Sequence, residues 1–280
     1  MKKAYVDRNL IAGSIIIAFI IFLAVFQPWL NKLIIGGHNP MTASFFGRYE
    51  PPSLKHLLGT DYVCRDVLAL LLLGLKSSLL VGVVAGTLST LMGIIVGFIA
   101  GYKGGIVDSI LIGTTDTFLV IPSFPILLTL SAYVKKLDVF SMGVILMIFS
   151  WPFSARVIRS RVMSFKNAGY IELAKLNNMS DLEIIFLEIL PNIVPFLGVG
   201  FGQSVVASML AATGLEVIGL GLSGVITLGT MINNAIGTGA LSMGQWNIVF
   251  PPIIVLMMVF IGVQLINMGL ESTFNPRLRR

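Results

Sequence analysis

The chain has few of the side chains that catalysis or metal binding requires. His38 and His56 are its two histidines, and neither belongs to an HExxH pair of the kind that holds zinc on a helix. Cys64 is its single cysteine, so a cysteine metal cluster and an intrachain disulfide are both excluded, and the redox compartment stays open. We expect no metal site.

The sequence also offers no clear motif for nucleotide hydrolysis or for proteolysis. The string nearest to a phosphate-binding loop, GLKS at residues 74–77, lacks the glycine directly before the lysine. Asp116 lies in an apolar stretch with no obvious second acidic or nucleophilic group at the same depth, as an intramembrane protease would need. We therefore expect a non-catalytic chain that binds no cofactor and cannot hydrolyse ATP alone.

One polar segment has its own helix signals, IELAKLNNMSDLEIIFLEILP at residues 171–191. A short helix is predicted over residues 170–176, ended by Asn177 and Asn178, which tolerate the left-handed conformation. Ser180 with Glu183 three residues on predicts a capping box at the start of a second helix. The segment is more elaborate than a turn between two spans requires, so we expect something outside the bilayer to bind it.

The mode of binding follows from the apolar side chains of the short helix. Ile171, Leu173 and Ala174 fit the helix-in-groove mode, in which apolar side chains enter a cleft on a partner. The alternative is a helix lying on lipid headgroups, which its modest basic content makes less attractive. Pro191 suits the first turn of the apolar helix that follows.

The elements that position these residues are predicted to be membrane-spanning helices. The chain is 56% apolar and 11% charged, against about a quarter charged in ordinary soluble domains. Stretches long enough to span place about six crossings, at residues 8–32, 76–103, 106–134, 139–155, 191–213 and 248–270. Residues 214–247 are too apolar for a free loop, so we expect them to be re-entrant or packed on the outer mouth.

Polar groups and prolines inside these stretches are candidates for a translocation pathway. Pro122 and Pro125 predict that the third span bends or breaks, and broken helices commonly line a pathway. A simple kink is equally compatible, and Asp116 either lines the pathway or bonds to a neighbouring helix. Glu216, alone in a Gly-rich outer segment, either contacts a cationic or hydroxylated substrate or fixes the loop through hydrogen bonds.

Two further patterns concern packing. Small residues recur every four positions in the second span and predict a close helix interface, within the chain or to a partner: Ala85, Ser89, Gly93, Gly97 and Gly101. The polar string HLLGTDYVCRD at residues 56–66 is predicted to lie along the membrane surface before that span. Its alternative is a solvated loop with a helix cap at Thr60 or Asp61.

The basic residues predict the orientation, because cytoplasmic loops are enriched in them. With both termini inside, the inner segments hold twelve Lys and Arg and the outer segments six. Residues 1–70 are then an N-terminal transmembrane helix, retained rather than cleaved, with an extracytoplasmic segment. Residues 71–280 form the core, with a cytoplasmic coupling segment at 156–190. The charge shows no basic stripe with interleaved aromatics, so nucleic acid is not expected as a partner.

These motifs together resemble a known family, the permease subunits of ATP-binding-cassette (ABC) importers of the dipeptide, oligopeptide and nickel type. Glu172-Leu173-Ala174 with Ile189-Leu190-Pro191 is similar to the cytoplasmic EAA loop of that superfamily. The resemblance extends over nearly the whole chain, through HLLGTD with RDV, GYKGG with Asp108, Asp116 with Ile121-Pro122, GLG at 219–221 and NPRLR at 275–279.

The chain departs from the family pattern at a few positions. Asn178 stands where the loop usually has glycine, and Cys64 replaces another usual glycine. Glu216 occupies the place of a small serine and Leu228 that of a tryptophan. Asn178 is a tolerable exchange because asparagine also adopts the left-handed conformation.

The resemblance implies an all-α type I permease fold of six spans in the inner membrane of a prokaryote. It implies a homologous second permease, two ABC ATPase subunits that bind ATP and Mg, and an extracytoplasmic solute-binding protein. The residues it implies for ATPase coupling are Tyr170, Glu172, Leu173, Ala174, Asn178, Ser180, Ile189, Leu190 and Pro191. The expected substrates are peptides, with oligosaccharides or nickel as alternatives, and a carrier or channel that works without a motor is the alternative of another class.

Overall fold

The computed structural model describes residues 8–43 and 46–274, and these residues form helices and loops with no β-strand. The all-α prediction is confirmed. The helices are α1 (Arg8–Val25), α2 (Gln27–Ile35), α3 (Val67–Lys103), α4 (Gly105–Val120), α5 (Ser123–Tyr133), α6 (Val139–Lys166), α7 (Gly169–Leu176), α8 (Asp181–Glu183), α9 (Leu190–Val217), α10 (Leu228–Gly237) and α11 (Trp246–Phe274). The basic residues Lys2, Lys3, Arg277, Arg279 and Arg280 and the terminal NPRLR motif lie outside the described residues.

Five helices are long and apolar enough to cross a membrane, and α4 with α5 makes a sixth crossing if the bent pair counts as one. This agrees with the six predicted crossings. The predicted break in the third span is also confirmed, since α4 and α5 meet at 83° across Ile121 and Pro122. Pro125 lies in the first turn of α5, where a missing backbone donor costs nothing.

Two predicted helix ends were wrong, for the same reason. The fourth span was expected to stop at Ala155, but α6 continues to Lys166. The second was expected to follow Lys76, but α3 begins at Val67. Charged residues were assumed to end a span, whereas in the structure they continue the helix.

The segment before α3 folds around a buried contact between a histidine and an aspartate. His56 Nδ1 lies 2.8 Å from Asp66 Oδ2, and both side chains are almost fully buried. Asp66 caps α3 by accepting a hydrogen bond from the backbone N–H of Ala69 at 2.8 Å. The cap predicted at Thr60 or Asp61 was therefore wrong, because the side chains of both residues form their hydrogen bonds within the loop and α3 begins only at Val67.

The central packing contact of the bundle joins α3 to α6. A Cβ at Gly97 would lie 2.8 Å from the carbonyl oxygen of Ala155, and one at Gly93 would lie 3.0 Å from the backbone nitrogen of the same residue. Gly101 approaches Arg159 and Val162 in the same way. The small-residue stripe therefore packs within the chain and not against a partner, which was one of the two predicted alternatives.

Residues 214–247 are packed on the bundle, as predicted. They contain α10, whose first turn is held to α3 by a 2.9 Å hydrogen bond from the Leu228 backbone N–H to Ser78 Oγ. Asn233 Nδ2 donates to the Val217 carbonyl at 2.6 Å and so joins α10 to the end of α9.

Matched glycine substitutions test the α3–α6 contact. Gly97→Ala is expected to lower the free energy of unfolding by about 1–3 kcal/mol, because the methyl group overlaps backbone of α6. Gly198→Ala on α9, where nothing lies within 4 Å, is expected to be neutral or to stabilise by up to about 1 kcal/mol through helix propensity. Thermal unfolding of the purified chain in detergent measures both, and equal effects would contradict close packing at Gly97.

Candidate functional site

The helix α7 has one buried side and one exposed side. Ile171 is fully buried and Ala174 is 6% exposed, whereas Leu173 is 62% and Leu176 is 77% exposed. Three side chains were predicted to enter a partner's cleft. The prediction is wrong for Ile171 and Ala174, because both pack inside the chain. Leu173 remains available, and Leu176 joins it.

The buried side of α7 sits in an apolar cluster supplied by several other elements. Its buried members are Phe98 and Tyr102 of α3, Ile158 and Val162 of α6, Ile184 and Ile189 of the π-helix Ile184–Ile189, and Ile193 of α9. Truncating a fully buried isoleucine to alanine typically costs about 2–5 kcal/mol. The core side of the short helix thus shares one apolar cluster with residues of three long helices, and its backbone lies against the π-helix.

Polar contacts support the same attachment. The Tyr102 hydroxyl donates to Asp181 Oδ1 at 2.6 Å, which joins the end of α3 to α8. Lys166 Nζ donates to the Tyr102 carbonyl, and this bond joins the end of α3 to the end of α6.

Tyr170 in the first turn of α7 has a raised pKa. Partial burial, with a smaller contribution from Glu188, raises the pKa of its phenol above the ordinary value of 10.0, so the hydroxyl stays protonated at neutral pH.

The connection after α7 follows the predicted signals. Asn178 adopts φ 56°, and the Met179 backbone N–H donates to the Ala174 carbonyl at 3.2 Å. Asn177 keeps a negative φ, so only the second asparagine is left-handed. Ser180 and Glu183 form the predicted capping box, with the Ser180 backbone N–H donating to Glu183 Oε2 at 2.7 Å.

The π-helix leads directly into α9. Ile189 is fully buried, Leu190 begins α9, and Pro191 lies in its first turn as predicted. Glu172 is exposed beside Leu173. Ile189 and Leu190 therefore belong to the apolar cluster that α7 shares with α9, Pro191 is exposed in the first turn of α9, and Glu172 is on the outer surface of α7.

Two ion pairs join α4 to α6. Asp116 Oδ1 lies 2.5 Å from a guanidinium nitrogen of Arg156, and these side chains are 50% and 54% exposed. Asp108 accepts two hydrogen bonds from Arg159, both at 2.5 Å, and these side chains are 15% and 25% exposed. Asp116 therefore bonds to a neighbouring helix, which is one of its two predicted alternatives. Its partner Arg156 was placed beyond the fourth span, and the longer α6 brings the two together.

Glu216 lies at the opposite end of the bundle from α7 and is 1% exposed. Its carboxylate accepts hydrogen bonds from the Thr227 side chain and the Gly229 backbone N–H, while Oε1 has no partner among the described residues. These contacts fix the start of α10. They agree with the alternative in which Glu216 holds the loop through hydrogen bonds. They leave the carboxylate little access to a substrate in this conformation.

A cavity of about 700 Å³ opens between α6, α9 and α11. Its apolar wall includes Phe153 and Val157, and its polar wall carries the amides of Gln203, Gln264 and Asn267. Asn267 Nδ2 donates to Gln203 Oε1 at 3.1 Å. A volume of this size is typical of small-molecule sites.

Comparison with known proteins identifies the family to which this architecture belongs. Residues 93–280 match the family model described as the binding-protein-dependent transport system inner membrane component. The chain belongs to this family. Its members are permease subunits of ABC importers, so the fold is the type I permease fold and the chain is a multi-pass membrane protein.

Individual relatives cover most of this family member. The oligopeptide transport system permease protein OppC of Mycobacterium tuberculosis strain H37Rv is 33% identical over 232 residues, or 82% of this chain and 79% of OppC. The dipeptide transport system permease protein DppC of Bacillus subtilis strain 168 is 30% identical over 98% of this chain and 83% of DppC. OppC of the same strain is 28% identical over 98% and 87%.

The permease residues that sequence reasoning missed are Arg156 and the cavity amides. Arg156 was counted only as a charge of an inner loop. The amides lie on α9 and α11 at positions 203, 264 and 267, far apart in sequence, and no local motif connects them.

Substitutions of Asn178 test the backbone conformation between α7 and α8. Asn178→Gly is expected to leave stability unchanged, since glycine adopts a positive φ freely. Asn178→Val is expected to lose about 1–2 kcal/mol, since a β-branched residue is strained there. Thermal unfolding measures both, and equal stability of the two variants would contradict the left-handed turn.

Substitutions of Glu216 test its role in holding α10. Glu216→Gln keeps hydrogen-bond acceptors for Thr227 and Gly229 and is expected to change stability little. Glu216→Leu leaves buried donors unpaired and is expected to cost about 1–3 kcal/mol. The readout is protease cleavage within residues 218–230, which should rise only in the leucine variant. A rise in both variants would show that the negative charge itself matters.

Proposed function

We propose that this chain forms half of the translocation pathway of an ATP-driven importer of di- and oligopeptides, and that residues 156–190 couple it to ATPase subunits. The observation that supports coupling is the two-sided packing of α7. Its exposed Leu173 and Leu176 present apolar surface to a partner, while Ile171 and Ala174 anchor the helix to α3, α6 and the start of α9.

The two-sided packing makes α7 a mechanical connection. A partner that moves against Leu173 and Leu176 displaces a helix whose other side lies in a close-packed cluster, and close-packed interiors transmit displacement. The cluster contains residues from three spanning helices, so a push on α7 moves those helices together. ATP and Mg are bound and ATP is hydrolysed on the partner subunits, and this chain supplies no catalytic group.

The orientation proposed for the chain places α7 in the cytoplasm. It rests on the count over the whole sequence, with twelve Lys and Arg assigned to the inner segments and six to the outer ones, as the positive-inside rule favours. The inner residues next to α7 are Lys103, Arg159, Arg161, Lys166 and Lys175. Both termini are then cytoplasmic. The end that carries α10 and the His56–Asp66 loop faces outward, where a solute-binding protein delivers the substrate, in the inner membrane of a prokaryote.

The substrate class rests on the names of the relatives, which are oligopeptide and dipeptide permease proteins. A homologous second permease completes the pathway. Residues at the break between α4 and α5, Pro122 and Pro125 together with Asp116, lie on its lining. Glu216 contributes at the outer end by holding α10 in place.

The coupling proposal predicts a specific loss. Leu173→Asp is expected to abolish co-purification of the ATPase subunits and to stop uptake, because it places a charge in an apolar contact while leaving the buried side of α7 intact. Pull-down of the tagged chain from cells that express the whole transporter measures association, and radiolabelled peptide uptake measures transport.

Leu57→Asp is the matched control. Leu57 is 58% exposed, similar to Leu173 at 62%, and lies at the opposite end of the bundle. It should leave ATPase association unchanged. Retention of the ATPases by the Leu173 variant would overturn the coupling proposal, whereas uptake of oligosaccharide or nickel in place of peptide would overturn only the substrate class.

A further inference from the structure

The cavity between α6, α9 and α11 extends along the helices. Its lining runs from Phe153 to Arg161 on α6 and from Pro195 to Gln203 on α9. At 1.5 Å per residue, each run covers about 12 Å. Three extended peptide residues cover about 10 Å, since each spans at most 3.3–3.6 Å. The cavity therefore has the length, and with about 700 Å³ the volume, for a short extended molecule.

Buried hydroxyl groups form the end of the cavity away from α7. Thr90 of α3 is 8% exposed and Ser154 of α6 is 6% exposed, and both line the cavity. Ser154 Oγ pairs with Ser204 Oγ at 3.1 Å, whereas Thr90 Oγ1 has no hydrogen-bond partner among the described residues. Leaving a buried hydroxyl unpaired is unfavourable, so Thr90 points to a polar ligand group at this end.

Three carboxamide side chains line the same cavity. Asn267 of α11 is 6% exposed, and its Nδ2 donates to Gln203 Oε1 at 3.1 Å. This bond leaves Gln203 Nε2 as a donor and Asn267 Oδ1 as an acceptor, and Gln264 adds a third amide. A peptide bond likewise has one donor and one acceptor. The Gln203–Asn267 pair therefore matches a peptide backbone, whatever side chains the peptide carries.

The end of the cavity near α7 has one basic and one acidic side chain. The Arg161 guanidinium lies over the Phe196 ring, 4.1 Å from its centroid. Stacking orders the guanidinium plane and leaves its N–H groups for a carboxylate. Glu271 of α11 lines the same end, and it has no hydrogen bond or ion pair to any described residue. Arg161 is the better ordered of the two charges, so this end favours the carboxylate of a ligand.

We propose that this cavity binds a short peptide lengthwise, through its backbone. Arg161 donates to the terminal carboxylate, and Gln203 with Asn267 bonds to a peptide bond. Thr90 bonds to the opposite end of the peptide. A phospholipid matches the lining less well, since it has one polar end and the cavity has polar side chains at both. The inference rests on the proposed import of peptides and names the groups of this chain that recognise the peptide backbone.

Two glycines of α9 offer a matched pair of probes. Gly200 lines the cavity, and a Cβ there would meet no heavy atom within 4 Å. Gly198 has equal space for a Cβ but lies outside the lining. A cysteine fits at either position, and only the thiol of Gly200→Cys lies in the cavity.

The test is the rate at which a water-soluble maleimide modifies each thiol, measured by mass spectrometry of this chain. The background is Cys64→Ser, in the whole transporter complex in nanodiscs without the solute-binding protein. Saturating trialanine is expected to slow modification of Gly200→Cys at least about tenfold, since only the empty fraction reacts, and to leave Gly198→Cys unchanged. An unchanged rate at Gly200→Cys overturns the proposal. A Gly200→Cys thiol that the maleimide never reaches also overturns it, and this result would indicate a cavity filled by lipid.

The same protection shows which groups of the peptide are bound. Trialanine amide, and an analogue with ester links in place of the peptide bonds, should each have a Kd about tenfold higher than trialanine, the loss of one hydrogen bond. Arg161→Gln should remove only the difference between trialanine and its amide, and Asn267→Leu only the difference between trialanine and the ester. If both variants raise all three Kd values by one common factor, the residues act through the fold alone and the proposal is overturned.

A separate measurement distinguishes this inference from the proposed function. Uptake of trialanine by wild-type proteoliposomes supplied with the solute-binding protein and ATP tests peptide import itself. Uptake without protection of Gly200→Cys removes the cavity site and leaves the importer, whereas no uptake removes the proposed import of peptides.

Discussion

The backbone contact between α3 and α6 determines where the other parts of the molecule lie. Gly93, Gly97 and Gly101 let the two helices approach until backbone atoms nearly touch, and the ends of both helices then meet at the same end of the bundle. In a membrane this close packing has to provide the stability, because lipid tails are as apolar as the side chains they would replace. Side chains larger than hydrogen at these three glycines would push the helices apart and displace the surfaces that face α7 and α4.

Two consequences of that contact concern function. Phe98 and Tyr102 of α3 and Ile158 and Val162 of α6 belong to the same apolar cluster as Ile171 and Ala174 of α7. The next face of α6 presents Arg156 and Arg159 to α4, one pair exposed and the other covered. The attachment of α7 and the lining of the proposed pathway are therefore built on the same helix pair.

The features predicted correctly from sequence are those with local causes. Pro122 and Pro125 break a helix by steric exclusion and missing donors, Asn178 enters the left-handed region, and Ser180 with Glu183 caps a helix within four residues. The errors concern long-range contacts. Arg156 meets Asp116 forty residues away, and a charge count alone placed it outside the span. Ile171 and Ala174 were predicted to face a partner together with Leu173, because both sides of α7 carry apolar residues and only the tertiary contacts distinguish them.

The central claim is that α7 moves as one body with the end of α3. Spin labels at Leu176→Cys and Lys103→Cys, in a Cys64→Ser background and in the assembled transporter, measure the distance between two exposed positions of that body. The account predicts one narrow distance distribution that is the same in the nucleotide-free and ATP-trapped states. A distribution that shifts or broadens between the states would show that α7 moves independently of the spans and would contradict the account.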